Sequence, residues 1–418
     1  MEPDSRRWAA APCAATSVVL AAAAFPLSPL RGTLGNGVPS GVSLYLPWTY
    51  VATGPLSAWA DAVTFNSARQ DAALVAWIAA GYWLARGALK LAGRGWAGWR
   101  RELLGYGAWL AAFAAFLAWA ILLPRPMARI LLGDPNMLAL DFHSHTSYSH
   151  DGRRSFTPTA NVHWHVWAGF TAAFITDHNR IEGAREARAL YDRGGINRAY
   201  RPLIGEEVSL QDAHVGVLGP REAIDNRPYD GSREGLRRFL GECESRFGGL
   251  PVLNLPEYRL HYWDRLDEVA SWGARGIELV NAVPKALDMS DEERQRVHVI
   301  ARARKLFMVG VSDNHGWGSA TYVWNLMYLP GQASLGAAEL QAAVLAALRE
   351  KGPDAVAVIV RAKQDPLPGA WIALDPFLGL WTMLRAFEPA QAVATVAWVW
   401  GLALLRRRRA RRASAAIC

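Results

Sequence analysis

Residues 8–30, and again 103–124, contain no charged side chain. A helix of about 20 such residues crosses a hydrocarbon layer of about 30 Å, so each run belongs inside either a large core or a membrane. Residues 72–91 form a third such run if Arg86 and Lys90 reach water from one end. Residues 389–405 form a shorter fourth run, which stops at RRRRARR. Tryptophan and tyrosine near these ends suit the membrane–water boundary. The expectation is four transmembrane helices flanking a water-soluble middle.

Orientation follows from the bias of Lys and Arg toward short cytosolic segments. Arg6 and Arg7 precede the first run, and Arg86, Lys90, Arg94, Arg100 and Arg101 surround the loop between the second and third. Arg406 to Arg409, Arg411 and Arg412 follow the fourth, whereas residues 31–71 hold only Arg31 and Arg69. Both termini are then cytosolic. The chain reads as an integral plasma (inner) membrane protein with its middle domain on the periplasmic or extracellular side. The three cytosolic segments carry 13 of the 45 basic residues, against Glu2, Asp4 and Glu102, and leave 32 basic and 34 acidic residues elsewhere. The net charge of +8 therefore marks membrane orientation. No nucleic-acid partner is expected, since the middle has no basic stripe.

Two features leave alternatives open. Residues 32–60 are also uncharged but are broken by Gly and Pro, which favours a loop or interfacial segment, and a fifth span there would reverse one side. Residues 1–30 also fit a cleaved signal peptide, with SRRW weakly resembling a twin-arginine signal.

All ten histidines fall within residues 136–364, and thirteen of the nineteen tryptophans fall outside them. Cys13, Cys243 and Cys418 form no CxxC, which excludes a disulfide scaffold and a cysteine zinc site. With 11% aromatic and 20% charged residues, disorder is excluded too. The domains read as 1–135, a membrane region with about three helices; 136–365, a soluble domain; and 366–418, a last helix with a basic tail.

The middle alternates short apolar runs (MLALDF, FTAAFIT, YRPLIG, HVGVLG, LPVLNL, GIELVN, LFMVGVS, DAVAVIV) with amphipathic stretches such as IEGAREARALYDR, SREGLRRFLGECESRF and AAELQAAVLAALRE. Such alternation builds a parallel sheet, and about seven units in some 200 residues fit a small α/β barrel. Nearly every run ends in a metal-ligand type of residue. Barrel enzymes carry their chemistry at the carboxyl ends of their strands.

His143-x-His145 extends one run, so the period of two places both imidazoles on one face. Asp313-x-His315 repeats the arrangement. His163-x-His165 lies in a helical stretch, where i and i+2 face apart, and reads as surface or packing. The candidate metal ligands are His143, His145, Asp151, His178, Glu207, His214, Asp313 and His315. These mixed nitrogen and oxygen donors suit zinc, manganese or iron, and eight of them suit two or three divalent ions, with Glu207 as a bridge. Asp177 and Arg180 are the candidate catalytic residues: Asp177 either orients an imidazole or is structural, and Arg180 either contacts a phosphate or forms a surface salt bridge. Trp317 and Tyr258 are candidate pocket aromatics, with packing as the default.

DFHSHTSYSHDG, FITDHN, GEEVSL followed by HVGVLG, and GVSDNHG resemble the successive motifs of the PHP (polymerase and histidinol phosphatase) family, over residues 139–330. The resemblance implies a distorted (β/α)7 barrel, here flanked by transmembrane helices, whose two- or three-metal centre hydrolyses phosphoesters. It implies that His143, His145, Glu207 and Asp313 hold one ion, Glu207 and His214 a second, and Asp151, His178 and His315 a third. In SHDG the choice lies between His150 and Asp151, and spacing favours Asp151. One departure stands out: the family's His-Pro pair reads LNLPE here, with Leu255 in the histidine's place. That leaves the second position to Asn254, Glu257 or His261, or weak or empty.

A metal-activated water would then attack a phosphate mono- or diester, and no Gly-rich loop or GxSxG elbow competes with that reading. The expected substrate is a phosphorylated small molecule or an envelope or lipid-linked phosphate, with membrane lipid as a further partner. The alternatives are a degenerate metal-binding sensory domain, motivated by Leu255, and hydrolysis of a non-phosphate bond.

Overall fold

The computed structural model describes residues 7–35, 37–93 and 98–415. Arg6, Arg94 and Cys418, which enter the charge and cysteine arguments, lie outside the described residues. The first apolar run is shorter as a helix than its sequence suggests. After α1 (Ala10–Ala24), Pro26 and Pro29 stop the helix, since proline lacks the N–H that a helix interior needs. The chain instead enters β1 (Leu30–Gly32). Fifteen helical residues fall short of the 20 or so that a crossing takes.

Residues 32–60 form no span. They fold as β2 (Val42–Tyr45), α2 (Trp48–Ala52) and the start of α3 (Gly54–Thr64). Then α4 (Ala68–Leu91) and α5 (Trp99–Leu122) run out and back. Ser67 begins α4 with a capping box: its hydroxyl accepts from the Gln70 N–H at 3.2 Å, and the Gln70 side chain accepts from the Ser67 N–H at 3.0 Å. Both helices have 24 residues and are long and apolar enough to cross a membrane, with 0% and 6% of their most apolar windows buried. These are the two described helices that pass on length and composition.

The middle of the chain begins with β3 (Arg129–Leu132), which pairs with β2, and β4 (Met137–Asp141). There follow α6 (Pro158–Ala168), β5 (Ala172–Ile175), α7 (Glu182–Asp192), β6 (Arg201–Leu210) and β7 (Ala213–Leu218). Next come α8 (Arg233–Glu242), β8 (Leu250–Leu253), α9 (Leu255–His261), α10 (Leu266–Ala270) and β9 (Gly276–Asn281). The unit ends with α11 (Asp291–Arg304), β10 (Phe307–Val311), β11 (Val323–Tyr328), α12 (Ala337–Lys351) and β12 (Ala357–Arg361). Two more helices close the chain, α13 (Asp375–Arg385) and α14 (Pro389–Ala415). The latter continues through the arginine run and packs on α1, where the Trp400 indole N–H donates to the Thr16 hydroxyl at 3.0 Å.

Ten strands form one curled α/β sheet in the order β1-β12-β11-β4-β5-β6-β7-β8-β9-β10. The sheet curls until the segments that follow β4 and β10 meet. The Asp313 N–H donates to the His143 carbonyl at 2.9 Å, and the His145 N–H donates to the Asn314 carbonyl at 3.0 Å. The Asn325 amide, fully buried on β11, also bridges β10 and β4 by donating to Leu140 O at 2.9 Å and accepting from the Gly310 N–H at 2.7 Å. Seven strands, β4 to β10, thus curl into a half-barrel ring, and one apolar cluster joins Leu138, Leu140, Phe174, Leu203, Val252 and Val309 to Leu340 and Val344 of α12.

Three departures from an all-parallel sheet appear, the first being edge strand β1, which is antiparallel to β12. Strand β7 is antiparallel to both neighbours, and β11 is antiparallel to β4 and β12. The β6–β7 link has only two residues, Gln211 and Asp212, and a link that short can only reverse the chain. At Gly169, which ends α6 at φ 86°, a Cβ would sit 2.3 Å from the Ile130 carbonyl oxygen, so both conformation and space require glycine.

Candidate metal centre

Beyond the carboxyl ends of the ring strands, the donor side chains converge. The fully buried Asp141 braces the first and last of these ends. Its carboxylate accepts from the His143 N–H at 3.3 Å, the Ser312 N–H at 3.1 Å and the Ser312 hydroxyl. Asp313 itself sits at φ 47°, in the left-handed region that non-glycine residues rarely occupy and that functional sites often hold.

Four donor atoms face one point. His143 Nε2 lies 2.9 Å from His145 Nε2 and 3.1 Å from Glu207 Oε2. His145 Nε2 lies 3.3 Å from that oxygen and 3.1 Å from Asp313 Oδ1, and His143 Nε2 lies 3.5 Å from Asp313 Oδ1. Four ligands held about 2.0–2.1 Å from a zinc ion in a tetrahedron would be about 3.3–3.4 Å apart. These five of the six edges bracket that value, so the residues fit a metal ion.

A second group lies alongside. Asp151 Oδ2 is 3.1 Å from His315 Nε2 and 3.5 Å from His178 Nε2. His315 Nε2 is buried with no hydrogen bond of acceptable geometry, as an atom reserved for a ligand would be. His150 shares a cluster with Asp151 and His178, but the Asp151 oxygen is the one between two imidazoles. The other oxygen of Glu207 faces His214 Nδ1 at 3.1 Å and accepts from the Asn254 amide at 2.6 Å.

Leu255 packs in the apolar core, fully buried. Of the three residues considered in its place, Asn254 turns a donor to Glu207, and His261 is exposed on α9. Glu257 lines the cavity, 4.0 Å from His214 Nδ1, with its charge shared by Lys285 at 3.3 Å.

Three of the imidazoles have their far nitrogen tied down. His143 Nδ1 meets Glu278 at 2.8 Å, His145 Nδ1 meets the Ser149 hydroxyl at 2.8 Å, and His315 Nδ1 meets the Asp313 carbonyl at 2.8 Å. Such partners fix the ring and the tautomer, leaving Nε2 free to ligate. Glu278 was missed from sequence. Its signal is a carboxylate inside β9, a strand whose every residue is buried. Glu278→Gln is expected to weaken metal affinity about 10- to 100-fold, which a competition titration with a chromogenic chelator measures.

The electrostatics follow from crowding. Burial alone would push His143 down, but Glu207, Asp313 and Glu278 around it hold it well above its usual value. Burial and the neighbouring His315 push His145 down to about 3. Burial works against charge on Glu207, yet His143, His214 and His178 hold its carboxyl well below the usual range. His315, despite burial, is lifted to about 9 by Asp151 and Asp313.

The two candidate catalytic residues lie elsewhere. Asp177 is fully buried and accepts from the Thr146 N–H at 2.6 Å and the Thr146 hydroxyl at 2.8 Å. It therefore holds the loop after β4 and touches no ring of the cluster. Arg180 is exposed and does not line the cavity, whereas Lys285 does. Trp317 lines it as well, half exposed, while Tyr258 is buried and donates to the Glu278 carbonyl at 2.6 Å. His163 is exposed and His165 is buried against Asp141 at 3.2 Å, so the second HxH pair divides between surface and packing.

No protein-family model and no curated protein matches the chain. Among solved structures, a protein assigned as a metal-dependent phosphoesterase from Bifidobacterium adolescentis overlaps at TM-score 0.34 and 17% identity, over 42% of this chain and 87% of its own. An amidohydrolase from Chromobacterium violaceum overlaps at TM-score 0.30 and 18% identity, over 46% and 89%. PsfC from Pseudomonas syringae overlaps at TM-score 0.38 and 17% identity, over 60% and 100%. At these values the likeness is too slight to carry a fold or an activity to this chain.

Proposed function

We propose that the chain is a membrane-anchored, metal-dependent phosphoesterase of the PHP type, working on the outer face of the membrane. The observation that supports it most is the tetrahedral spacing of His143, His145, Glu207 and Asp313 beside an open cavity. Asp151, His178 and His315 would hold a second ion. The position between these two keeps only Glu207, His214 and Glu257, with Asn254 already spending its amide on Glu207, so the reading is two ions. When bound, such ions supply Lewis acidity, polarising the bond under attack and lowering the pKa of nearby water.

The protein's own groups then orient and bind. Glu278, Ser149 and the Asp313 carbonyl fix the ring faces, and Asn254 fixes the bridging carboxylate. Lys285 presents a cation to an anionic ester at the cavity wall. The membrane placement rests on α4 and α5, whose free ends carry Arg86, Lys90, Arg100 and Arg101.

Full-length protein in detergent is expected to hydrolyse phosphomonoesters or phosphodiesters when loaded with zinc or manganese, and to lose that turnover on chelation. Loaded protein that turns over no phosphoester on a broad panel would leave a metal-binding sensory domain. Turnover of amides or carboxylic esters alone would leave a hydrolase of a non-phosphate bond.

A further inference from the structure

The cavity beside the donor cluster has a volume of about 600 Å³ and walls of two kinds. One side is the cluster itself. The other is mainly apolar, with Leu74 and Val75 from α4 and Phe113, Leu117 and Ile121 from α5, and Asp71 in the first turn of α4 as its one charged side chain. Those are the two helices long and apolar enough to cross a membrane, and few of the residues in their most apolar stretches are fully buried.

The loops of the cluster are hydrogen-bonded directly to the ends of those helices. The Gly318 N–H, in the loop that carries Asp313 and His315, donates to the Ile121 carbonyl at 2.8 Å. Arg153, two residues after Asp151, donates to the Leu122 carbonyl at 2.7 Å. The Ala68 N–H, at the start of α4, donates to the Pro284 carbonyl beside Lys285 at 3.2 Å. The cluster is therefore fastened to the rim of the helix pair.

From Ile121 to Phe113 the apolar wall follows one face of α5 at i, i+4 and i+8 for about 12 Å. One turn further on, the Trp109 indole donates to the Ile78 carbonyl at 2.8 Å, bridging the two helices where the groove ends.

We infer that the phosphoester taken by this centre carries a hydrocarbon chain, which lies in the groove between α4 and α5 while its phosphate meets the donor cluster. This rests on the phosphoesterase reading above and adds the substrate class to it. A wholly water-soluble ester would leave the five apolar side chains facing water beside a charged centre. A chain entering from the lipid around α4 and α5 covers them and delivers the phosphate to the rim.

The test uses full-length, metal-loaded protein in detergent and a series of linear alkylphosphonates, which keep the anionic head and resist hydrolysis. Binding is read by calorimetry, and turnover is read separately with the matching alkyl phosphates. Affinity is expected to rise roughly fourfold per methylene and to level off once the chain fills about 12 Å of groove. Leu117→Trp, which fills the groove, is expected to flatten that rise, with Val75→Trp as the second variant should the first melt early. Affinity independent of chain length in the wild type, or the same slope in a folded groove variant, would overturn the inference. Chain-dependent binding without turnover of any alkyl phosphate monoester or diester would keep the groove and refute the phosphoesterase. Equal kcat/KM for short and long esters would keep the phosphoesterase and refute the groove.

Discussion

Replacing His143 and His145 together by alanine is expected to cut metal-dependent phosphoester turnover by about a thousandfold or more. A bound ion supplies several kcal/mol of charge stabilisation in such reactions, and about 1.4 kcal/mol is tenfold in rate. The pair furnishes both nitrogen donors of the tetrahedral group, and what remains, Glu207 and Asp313, is two carboxylates without an imidazole between them. Turnover is measured on protein that still melts cooperatively, so that loss of fold and loss of chemistry are separated. Full turnover in the double variant would place the reaction elsewhere.

The second large effect concerns stability and lies at the joint between the helices and the sheet. Asp61 on α3 is buried and accepts from the Tyr50 hydroxyl at 2.8 Å and from Arg361 at 2.9 Å, and it also pairs with Arg125. Arg125 follows α5 and Arg361 ends β12, so one carboxylate ties three parts of the chain together. Asp61→Ala would leave two guanidinium groups buried without their counter-ion. Breaking a buried pair in this way typically costs about 3–5 kcal/mol, visible as a lowered melting temperature of the detergent-solubilised protein.

Burial opposes charge on Asp61, yet Arg125 and Arg361 hold its carboxyl below its usual range. A depressed folded pKa contributes stability above the unfolded value of about 3.9 and loses it as pH falls through the folded one. The Asp61 contribution is therefore constant at neutral pH and disappears only in strong acid. A stability profile in which the wild type and Asp61→Ala converge near pH 6 would contradict this.

Much of the ring could be read from sequence because its signals are local. Apolar runs such as FTAAFIT and LFMVGVS mark strands, and a ligand-type residue at each carboxyl end marks the site. The antiparallel turn at β7 was less visible, because HVGVLG reads the same in either direction and only the two-residue link gives the reversal away. Strand β11 was missed because Asn325 interrupts VWNLMY, and its reason for being there, bridging β10 and β4, exists only once the sheet has curled. Glu278, Asn254 and Lys285 are of the same kind: each matters through a partner far away in sequence. The short α1 is a different case, since Pro26 and Pro29 were in plain view and the absence of charge outweighed them.

Arg180 and Asp177 show the limit of arguing from neighbours in sequence. Both flank His178 in TDHNR, yet Asn179, at φ 51°, separates Arg180 from it, and Thr146 holds Asp177. Arg180 ends on the surface, and Asp177 points back to Thr146.

The account stands or falls most directly on the metal content of the purified, full-length protein, measured by elemental analysis after loading and exhaustive dialysis. It predicts about two divalent ions per chain in the wild type, and about one in the His143→Ala, His145→Ala variant, where the Asp151, His178 and His315 group is untouched. Less than one ion per chain in the wild type, or the same content in both proteins, would contradict it.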